Sequence, residues 1–327
     1  MQKTVLSTVD GSARGFEALS ILGRFLKDQP EIQLCLFYSV QQPTGLPAVE
    51  LDLPVFQRYR LSSEDQNKIG NAIFEEARKR LVAAGFPEVR ILSKLKLDGA
   101  DPAQEIIAEA DAAGIRTIAL GRRGRNQLQT LLLGSVSGTV AQYGHRHTIW
   151  IIDTLTRESS KILIAMEDAA DSQELSEYAA DLLAPIPGLE FVLLHLMPPV
   201  PPTFLDDGHI LEAAERKDRQ INIGKWRESW MQKVDEFMEE ACRVLTARGA
   251  NPDRIKRLVL TTRVGIARDL LEEIDRHDYR MVIMGKKSLH KRKPFLMGSH
   301  AHKILQTMKG AVLCLVDSRG RSSSPMK

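Results

Sequence analysis

The chain has 327 residues, of which 43% are hydrophobic and 27% are charged, a composition that predicts a globular protein with room for two domains. No apolar run approaches the roughly 20 residues that a membrane-spanning helix needs, and a signal-peptide pattern is missing, so we expect a cytoplasmic protein without a membrane partner. The net charge of +3 is too small to predict a nucleic-acid partner, and the spacing of Cys35, Cys242 and Cys314 predicts reduced, buried thiols instead of disulfides or a zinc site.

Short apolar runs alternate with longer amphipathic stretches, the pattern of βαβ units around a parallel sheet. In chain order, a strand ends near Asp10, a helix begins after Ser12, and a second strand ends at Val40. Helices are predicted over 75–84 and 102–113, the second with a proline in its first turn. A fourth strand follows at 117–121, then a helix after residue 134 and a last strand at 148–153. This pattern gives five strands and four helices.

The same series of elements occurs twice in the chain. Five segments of the first half return in the second half, displaced by 157 to 164 residues: 4–12 as 161–169, 34–40 as 191–196, 117–121 as 281–285, 134–135 as 298–299, and 148–153 as 311–317. A single duplicated domain explains all five matches. We therefore predict domains at 1–154 and 160–318, a polar linker between them, and a disordered tail at 319–327.

Two segments are long for simple connections, at 41–71 and 197–222, and both begin with proline-rich stretches. Loops of this length are usually lids, partner surfaces or mobile excursions. Trp226 and Trp230 follow the second segment at a spacing that places both on one helical face. Core packing and a contact surface for a protein partner are both compatible with that face.

Polar residues and glycines gather where the predicted strands end. Asp10, Val40 and Gly121 end three strands of the first copy, and parallel strands bring their carboxyl ends to one crevice, where ligands collect. The turn from Gly121 to Gly124 lets backbone N–H groups approach an anion closely. Nearby arginines at 122, 123 and 125 add positive charge.

The segment from Gly134 to Ser137 opens the next predicted helix. Its free N–H groups, the positive end of the helix dipole and two hydroxyls suit a phosphate group. Glycines at strand ends and serines at helix starts also serve folding alone, and Asp10 could act only as a cap of the first helix.

The spacing Gly-x2-Gly-x9-Gly-Ser, met by Gly121, Gly124, Gly134 and Ser135, resembles the ATP-binding branch of the universal stress protein family. The early Val-Asp-Gly-Ser at 9–12 and the turn at 99–103 also look like that family. The resemblance implies two tandem adenine-nucleotide alpha-hydrolase-like (Rossmann-like) α/β domains, each a five-stranded parallel sheet flanked by helices on both faces. It also implies dimerisation through the last strands, here as an intramolecular pseudo-dimer or as a homodimer.

The resemblance further implies roles for particular residues of the first copy. Asp10 and Val40 would line the adenine and ribose end, and Leu120, Gly121 and Gly124 would follow the ribose and α-phosphate. The remaining phosphates would be held by the start of the helix, at Gly134, Ser135, Val136 and Ser137, often with Mg²⁺. The expected ligand is ATP, with AMP or ADP as alternatives.

The second copy departs from this pattern. Its corresponding candidate residues are Glu167, Leu196, Gly285, Ser288, Gly298 and Ser299. Glu167 replaces the aspartate, Ser288 replaces the second glycine, and Ala301 replaces the second serine. The basic run at 286–293 could compensate or could contact nucleic acid, although a solvated or phosphate-facing loop is favoured. We expect ATP binding by the first copy and weak, different or no binding by the second.

Several enzyme classes lack their motifs here. GxGxxG does not follow the first strand, and neither GxxxxGK[ST] nor GxSxG occurs, so a dehydrogenase, a P-loop enzyme and a serine hydrolase are not indicated. The histidine pairs at 145/147 and 300/302 are weak candidates for metal ligation. Three classes remain: a nucleotide-binding regulatory module of the stress response, a slow ATPase or nucleotidyl-transfer enzyme, and a scaffold independent of nucleotide. Because no base is evident near the γ-phosphate, no catalytic residue is assigned.

Overall fold

The structure is a computed structural model that describes residues 3–41, 61–122, 133–155, 159–199, 213–286 and 297–317. The described chain divides into two compact units. The first comprises the residues up to 155 together with residues 309–317, and the second comprises residues 159–308. Among the described residues, no helix has both the length and the hydropathy needed to cross a bilayer.

The first unit is a sheet with helices between successive strands. Its elements are β1 Lys3–Thr8, α1 Ala13–Leu26, β2 Ile32–Gln41, α2 Ser63–Ala83, β3 Ile91–Gly99, α3 Pro102–Ala112, β4 Thr117–Gly121, α4 Ser135–Tyr143, β5 Thr148–Ile152 and β10 Val312–Val316. The strand order is β3-β2-β1-β4-β5-β10. Every pair in it is parallel except the last, in which β10 runs antiparallel to β5 with Cys314 opposite Trp150.

The second unit repeats the same alternation. Its elements are β6 Lys161–Met166, α5 Ala169–Leu182, β7 Glu190–Met197, α6 Ala213–Ala247, β8 Ile255–Thr261, α7 Ile266–Arg276, β9 Tyr279–Gly285 and α8 Ser299–Thr307. Its strands lie in the order β9-β6-β7-β8 and are all parallel. The parallel α/β fold of the two sequence repeats is therefore confirmed.

The strands β1 to β5 form the parallel sheet expected for one domain, and β10 is added at its edge. β10 belongs to the second sequence repeat and pairs antiparallel with β5, the pairing expected for the last strands of the two copies. All five residues of β5 are buried, and Trp150 is fully enclosed and packs edge-on against Phe25 at a ring distance of 5.8 Å. Without β10, this apolar strand would be an unpaired edge.

Helix caps fix the starts of α1 and α3 as predicted. The Ser12 hydroxyl accepts the N–H of Gly15 at 3.0 Å, and the Asp101 carboxylate accepts the N–H of Ala103 at 2.9 Å, with Pro102 in the first turn. Such caps satisfy N–H groups that have no partner within the helix.

Helices α2 and α6 begin earlier than expected, so both expected loops are shorter. α2 begins at Ser63, where Ser62 accepts the N–H of Asp65 at 3.1 Å, instead of near residue 75. α6 begins at Ala213, inside the segment predicted as a loop. The first turns of α2 are polar and largely exposed, so they lack the apolar periodicity by which a buried helix is recognised. Residues 42–60, 200–212 and the tail at 319–327 lie outside the described residues.

The cysteines follow the expectation in part. All three are free thiols, and Cys35 and Cys314 are buried in β2 and β10. Cys242 on α6 is half-buried, contrary to expectation. Burial is the main cause that raises the pKa of both Cys35 and Cys242.

Candidate functional site

A cavity of about 340 Å³ lies in the first unit at the carboxyl ends of β1, β2 and β4. Its volume is in the range of sites for small molecules. Eight of the nine residues predicted for the first site line it: Asp10, Val40, Leu120, Gly121, Gly134, Ser135, Val136 and Ser137. The ninth, Gly124, lies outside the described residues, as do Arg123 and Arg125. Three strand ends and one helix start thus meet around a single space.

Asp10 organises the turn between β1 and α1. Its Oδ1 atom accepts hydrogen bonds from the backbone N–H of Ser12 at 3.0 Å and from the Ser12 hydroxyl at 2.7 Å. Ser12 in turn caps α1, so Asp10 orients the cap and is not itself the cap.

Gly15 is a cavity residue that the sequence pattern did not reveal. A Cβ atom built on Gly15 would lie 2.4 Å from Oδ1 of Asp10 and 3.0 Å from the Ser12 hydroxyl oxygen. Only a residue without a side chain leaves the Asp10 carboxylate in this place.

The start of α4 lines one part of the cavity. Gly134 precedes the helix, provides no side-chain cap, and donates its N–H to the carbonyl oxygen of Arg122 at 2.9 Å. The N–H groups of the first helical turn have no acceptor within the helix, and the dipole is positive at this end. Ser135 is exposed, whereas Ser137 is buried and donates its hydroxyl proton to the carbonyl oxygen of Gly121 at 2.7 Å.

Arg122 does not take the place expected for it beside a phosphate. Its side chain is only 2% exposed, and its Nε atom lies 3.8 Å from Oδ2 of Asp153. Arg122 is absent from the residues that line the cavity. A buried guanidinium requires a nearby carboxylate or hydrogen-bond acceptors, so this arginine serves the fold and not the cavity.

Part of the cavity wall is apolar. It is lined by Leu61, Ile69, Pro102 and Ile106. Two polar side chains of β2, Ser39 and Gln41, interrupt this apolar wall, and sequence reasoning missed both. They precede and follow Val40, which was found because it ends the predicted strand.

In the second unit, the backbone at the start of α8 makes the same hydrogen bond as the backbone at the start of α4 in the first unit. Gly298 donates its N–H to the carbonyl oxygen of Lys286 at 3.1 Å, as Gly134 does to Arg122, and α8 begins at Ser299. Gly285 ends β9 as Gly121 ends β4. Ser288 lies outside the described residues, as does the part of the basic run beyond residue 286.

The strand ends of the second unit are occupied by side chains of α6. His195 is buried, its Nδ1 atom lies 3.0 Å from the carbonyl oxygen of Met166, and its Nε2 atom accepts the indole N–H of Trp230 at 3.0 Å. Phe237 packs edge-on against the same imidazole at 5.6 Å. Burial lowers the pKa of His195, and these two hydrogen bonds fit its neutral form.

Strand register corrects one residue correspondence between the copies. β1 and β6 pair with the following strand at the same offset, so that Met197 is the counterpart of Val40 and Leu196 is the counterpart of Ser39. Leu196 and Met197 are both buried.

The second unit carries a carboxylate where the first unit has Gly15. Gly15 donates its N–H to the cap Ser12, and Asp171 donates its N–H to the cap Asp168 at 2.8 Å, which makes the two positions equivalent. The Asp171 carboxylate accepts the N–H of Glu167 at 3.0 Å. Burial is the main cause that raises the pKa of Asp171 to about 7, with smaller contributions from neighbouring carboxylates.

A cavity of about 550 Å³ in the second unit lies against α5 and α6. Its lining includes Glu167, Trp230 and Phe237, but neither Gly285 nor Gly298 or Ser299. The candidate residues of the second copy are therefore not gathered around one described cavity as those of the first copy are.

The tryptophans and the histidines complete the set of candidate residues. Trp226 and Trp230 lie against each other on one face of α6 at a ring distance of 5.6 Å and a tilt of 36°, and both are half-buried. His147 is buried, with its ring nitrogens 2.8 Å from the Ile115 carbonyl oxygen and 3.1 Å from Oδ1 of Asp111. In the part of the chain that the structure describes, no three His, Cys, Asp or Glu side chains are placed to share a metal ion.

Comparison with known proteins agrees with the fold. The profile of the Universal stress protein family matches residues 1–145 and 158–315. No curated protein matches the chain. Among solved structures, a universal stress protein from Archaeoglobus fulgidus DSM 4304 is similar with a TM-score of 0.59 and 17% identity, over 98% of this chain and 97% of that one. A protein of unknown function from Pseudomonas aeruginosa PAO1 is similar with a TM-score of 0.54 and 15% identity, over 97% and 92% of the two chains. Because the family profile covers most of the sequence in two successive matches, the chain belongs to the universal stress protein family as a tandem of two domains.

Proposed function

We propose that the first unit binds an adenine nucleotide, ATP in the first instance, and that the protein is a regulatory module of the stress response. The observation that carries the proposal is the convergence of eight predicted residues from three strand ends and one helix start on a single cavity. Nucleotide occupancy would order the loops around the cavity and thereby select a protein partner.

A nucleotide needs hydrogen-bond donors for its phosphates and an apolar surface for its base, and different residues of the cavity can provide each. The N–H groups at the start of α4 and the exposed Ser135 hydroxyl suit the phosphates. Val40 and the apolar wall suit the base, and the Asp10 carboxylate can accept a hydrogen bond from a ribose hydroxyl or a base amine. Gly124 would extend the phosphate contacts through its backbone.

Magnesium fits this arrangement as a companion of the phosphates. Mg²⁺ commonly keeps several waters and is held by substrate phosphates with few protein oxygens. The Ser135 hydroxyl is the exposed protein oxygen at the start of α4, whereas the Ser137 hydroxyl is committed to Gly121. Ser135 is therefore the residue that would contact the metal ion.

We expect the second unit to bind nucleotide weakly or not at all at the corresponding strand ends. Asp171 adds a carboxylate where Gly15 leaves space, Trp230 and Phe237 fill the strand ends, and Leu196 and Met197 are buried there. Side chains at these strand ends occupy space that the nucleotide would need.

The pairing of β5 with β10 supports an intramolecular counterpart of the family's strand-mediated dimer. β10 comes from the second sequence repeat and covers the edge of the first unit's sheet. That edge is therefore no longer open to the β5 strand of another chain. Light scattering of the purified protein would show a species of 36.6 kDa if no homodimer forms, or twice that mass if another surface dimerises.

A matched pair of variants tests the proposal in the full chain. Ser135 and Ser299 hold equivalent, exposed positions at the starts of α4 and α8, and aspartate is well tolerated in the first turn of a helix. Calorimetric titration of the wild-type protein with ATP and Mg²⁺ should give one site per chain. S135D should abolish binding by charge repulsion, and S299D should leave it unchanged.

Each other outcome contradicts a stated part of the proposal. Absence of binding by the wild-type protein would favour a scaffold independent of nucleotide. Loss of binding in S299D but not in S135D would reverse the assignment of the units. Steady-state phosphate release that disappears in S135D would favour a slow ATPase. Mass spectrometry of nucleotide retained through native purification would distinguish ATP from ADP and AMP.

A further inference from the structure

We propose that Gln41 reads the base, by accepting a hydrogen bond from the exocyclic amine of adenine on its side-chain carbonyl oxygen. Ser39 and Glu105 act as positioning residues that fix the orientation of the Gln41 amide. This inference rests on the proposed nucleotide site in the first unit and specifies how that site selects its base.

The argument begins at the Glu105 carboxylate on α3. Its Oε1 atom accepts the backbone N–H of Ala100 at 2.8 Å, and its Oε2 atom accepts the hydroxyl proton of Ser39. Both carboxylate oxygens are therefore engaged at the carboxyl end of β2. The Ser39 side chain is buried, so its hydroxyl has little access to water.

The single proton of the Ser39 hydroxyl is thus committed to Glu105. The remaining interaction of that oxygen, with the Gln41 amide at 3.0 Å, must use it as an acceptor. The Gln41 group that faces Ser39 is consequently the NH₂ group and not the carbonyl oxygen. Rotation of the amide by half a turn would place two acceptors against each other.

Gly99 leaves the space in which these three side chains meet. A Cβ atom built on Gly99 would lie closer than 3.0 Å to the Ser39 hydroxyl oxygen, to Nε2 of Gln41 and to Oε2 of Glu105. β3 pairs with β2 through Gly99 and Gln41, so backbone pairing holds the same point together. Gly99 is not among the residues that line the cavity, so the three polar groups meet against β3.

Gln41 lines the cavity at the end of β2, which β1 separates from β4 and the start of α4. An amide free to rotate would offer either a donor or an acceptor and would not distinguish adenine from a 6-oxopurine. With its NH₂ group held by Ser39, Gln41 offers an acceptor. That acceptor favours the 6-amino group of adenine and opposes the carbonyl oxygen that hypoxanthine and guanine carry at the same position.

The second unit lacks this arrangement of side chains. When the two copies are aligned by the register of their first two strands, Leu196 corresponds to Ser39 and Pro198 corresponds to Gln41. In place of Glu105, Asp269 accepts backbone N–H groups of its own preceding loop, from Arg263 at 2.7 Å and from Gly265 at 3.2 Å. Among the described residues, only the first unit therefore has the three side chains Ser39, Gln41 and Glu105 in this arrangement.

The test compares ATP with inosine triphosphate, whose base carries a carbonyl oxygen in place of the amine. Full-length wild-type protein, Q41M, S39A and the control Q104M would be titrated with both nucleotides. Gln104 is exposed on α3 next to Glu105 and does not line the cavity, so Q104M repeats the chemical change outside the site. Circular dichroism melting curves would confirm that each variant is folded.

The wild-type protein should bind ATP at least about tenfold more tightly than inosine triphosphate. ATP forms a hydrogen bond with Gln41, whereas inosine triphosphate places a second acceptor against the Gln41 carbonyl oxygen. Q41M should lose about tenfold in ATP affinity with little change for inosine triphosphate. S39A should reduce the preference for ATP over inosine triphosphate by improving the binding of inosine triphosphate. Without the Ser39 hydroxyl, the Gln41 amide can rotate and offer its NH₂ group to the carbonyl oxygen of the base. Q104M should match the wild type.

Equal binding of both nucleotides by the wild type, or equal losses for both in Q41M, would overturn the role of Gln41 and leave the proposed nucleotide site intact. An unchanged preference in S39A would overturn the role of Ser39 as a positioning residue. Failure of the wild-type protein to bind either nucleotide would overturn the proposed site itself, and this inference with it.

Discussion

The Ser137 hydroxyl donates its proton to the carbonyl oxygen of Gly121 at 2.7 Å and so ties the first turn of α4 to the end of β4. Family resemblance implies that Ser137 holds a phosphate, but a hydroxyl has one proton and here that proton is already used. Ser135, two residues earlier, is exposed at the same helix start. The two serines of the motif therefore have different tasks.

Alanine variants should separate these tasks. S137A removes a buried hydrogen bond and should lower the free energy of unfolding by about 1 kcal/mol. S135A removes an exposed hydroxyl and should leave the melting temperature of the nucleotide-free protein unchanged, while weakening ATP binding. Differential scanning fluorimetry without and with ATP measures both effects. A stability loss in S135A that equals that in S137A would contradict this division.

Replacement of Gly15 by alanine should damage the site without damaging the helix. The new Cβ would meet Oδ1 of Asp10 at 2.4 Å, so the carboxylate must move, and ATP affinity should fall about tenfold. Alanine otherwise favours helices over glycine by up to about 1 kcal/mol, so the fold itself should tolerate the change. G224A on α6 is the matched control, because nothing lies within 4 Å of its new Cβ. Calorimetry would record the affinities, and an unchanged affinity in G15A would refute the argument.

Asp171 should make the second unit more stable in mild acid. Its pKa is raised from 3.8 to about 7, so folding retains a proton that the unfolded chain releases. The stabilisation from that proton is complete below about pH 4 and is lost as the pH rises to about 7. D171N is neutral at every pH and can still accept the N–H of Glu167.

The melting temperature of D171N minus that of the wild type should therefore be small at pH 4 and should grow until about pH 7. D235N, which removes an exposed aspartate of α6, should show no such trend. A constant difference across this pH range for D171N would contradict the raised pKa.

Removing the indole N–H of Trp230 should destabilise the second unit. W230F leaves Nε2 of the buried His195 without the donor that now lies at 3.0 Å, at a cost of about 1–3 kcal/mol in unfolding free energy. W226F alters the neighbouring ring of the pair and keeps the His195 hydrogen bond, so its loss should be smaller. Urea denaturation followed by circular dichroism compares them. Equal losses would show that ring packing, and not the hydrogen bond, matters here.

Truncation tests the place of β10 in the first unit. Deletion of residues 309–327 removes the antiparallel partner of β5 and exposes a buried apolar edge that includes Trp150, so we expect aggregation and loss of ATP binding. Deletion of residues 318–327 keeps β10 and should be tolerated. Analytical ultracentrifugation would distinguish the two proteins. A soluble, ATP-binding protein after the longer deletion would show that β5 does not need this partner.

Local features of the sequence predicted much of the fold and part of the site. Ser12, Asp101 and Pro102 act on helix starts through neighbours a few residues away, and those starts were predicted correctly. Asp10 and the glycine motif were found because strand ends and glycine spacing are visible along the chain.

What could not be predicted depends on residues that are distant in sequence. Glu105 reaches Ser39 only after the sheet brings α3 next to β2, and the role of Gly15 is visible only as a distance to Asp10. Arg122 is adjacent to the glycine motif, but the carboxylate of Asp153 determines where its guanidinium lies.

The position of β10 also bears on the order of events during protein synthesis. The ribosome makes the whole second unit between β5 and β10, so the first unit cannot complete its sheet when its own five strands have emerged. Nascent chains at that stage would display the apolar β5 strand until β10 has emerged from the ribosome. A ribosome stalled within the second unit should therefore carry a first unit that binds chaperones and is sensitive to protease, although all of its nucleotide-binding residues have already been translated.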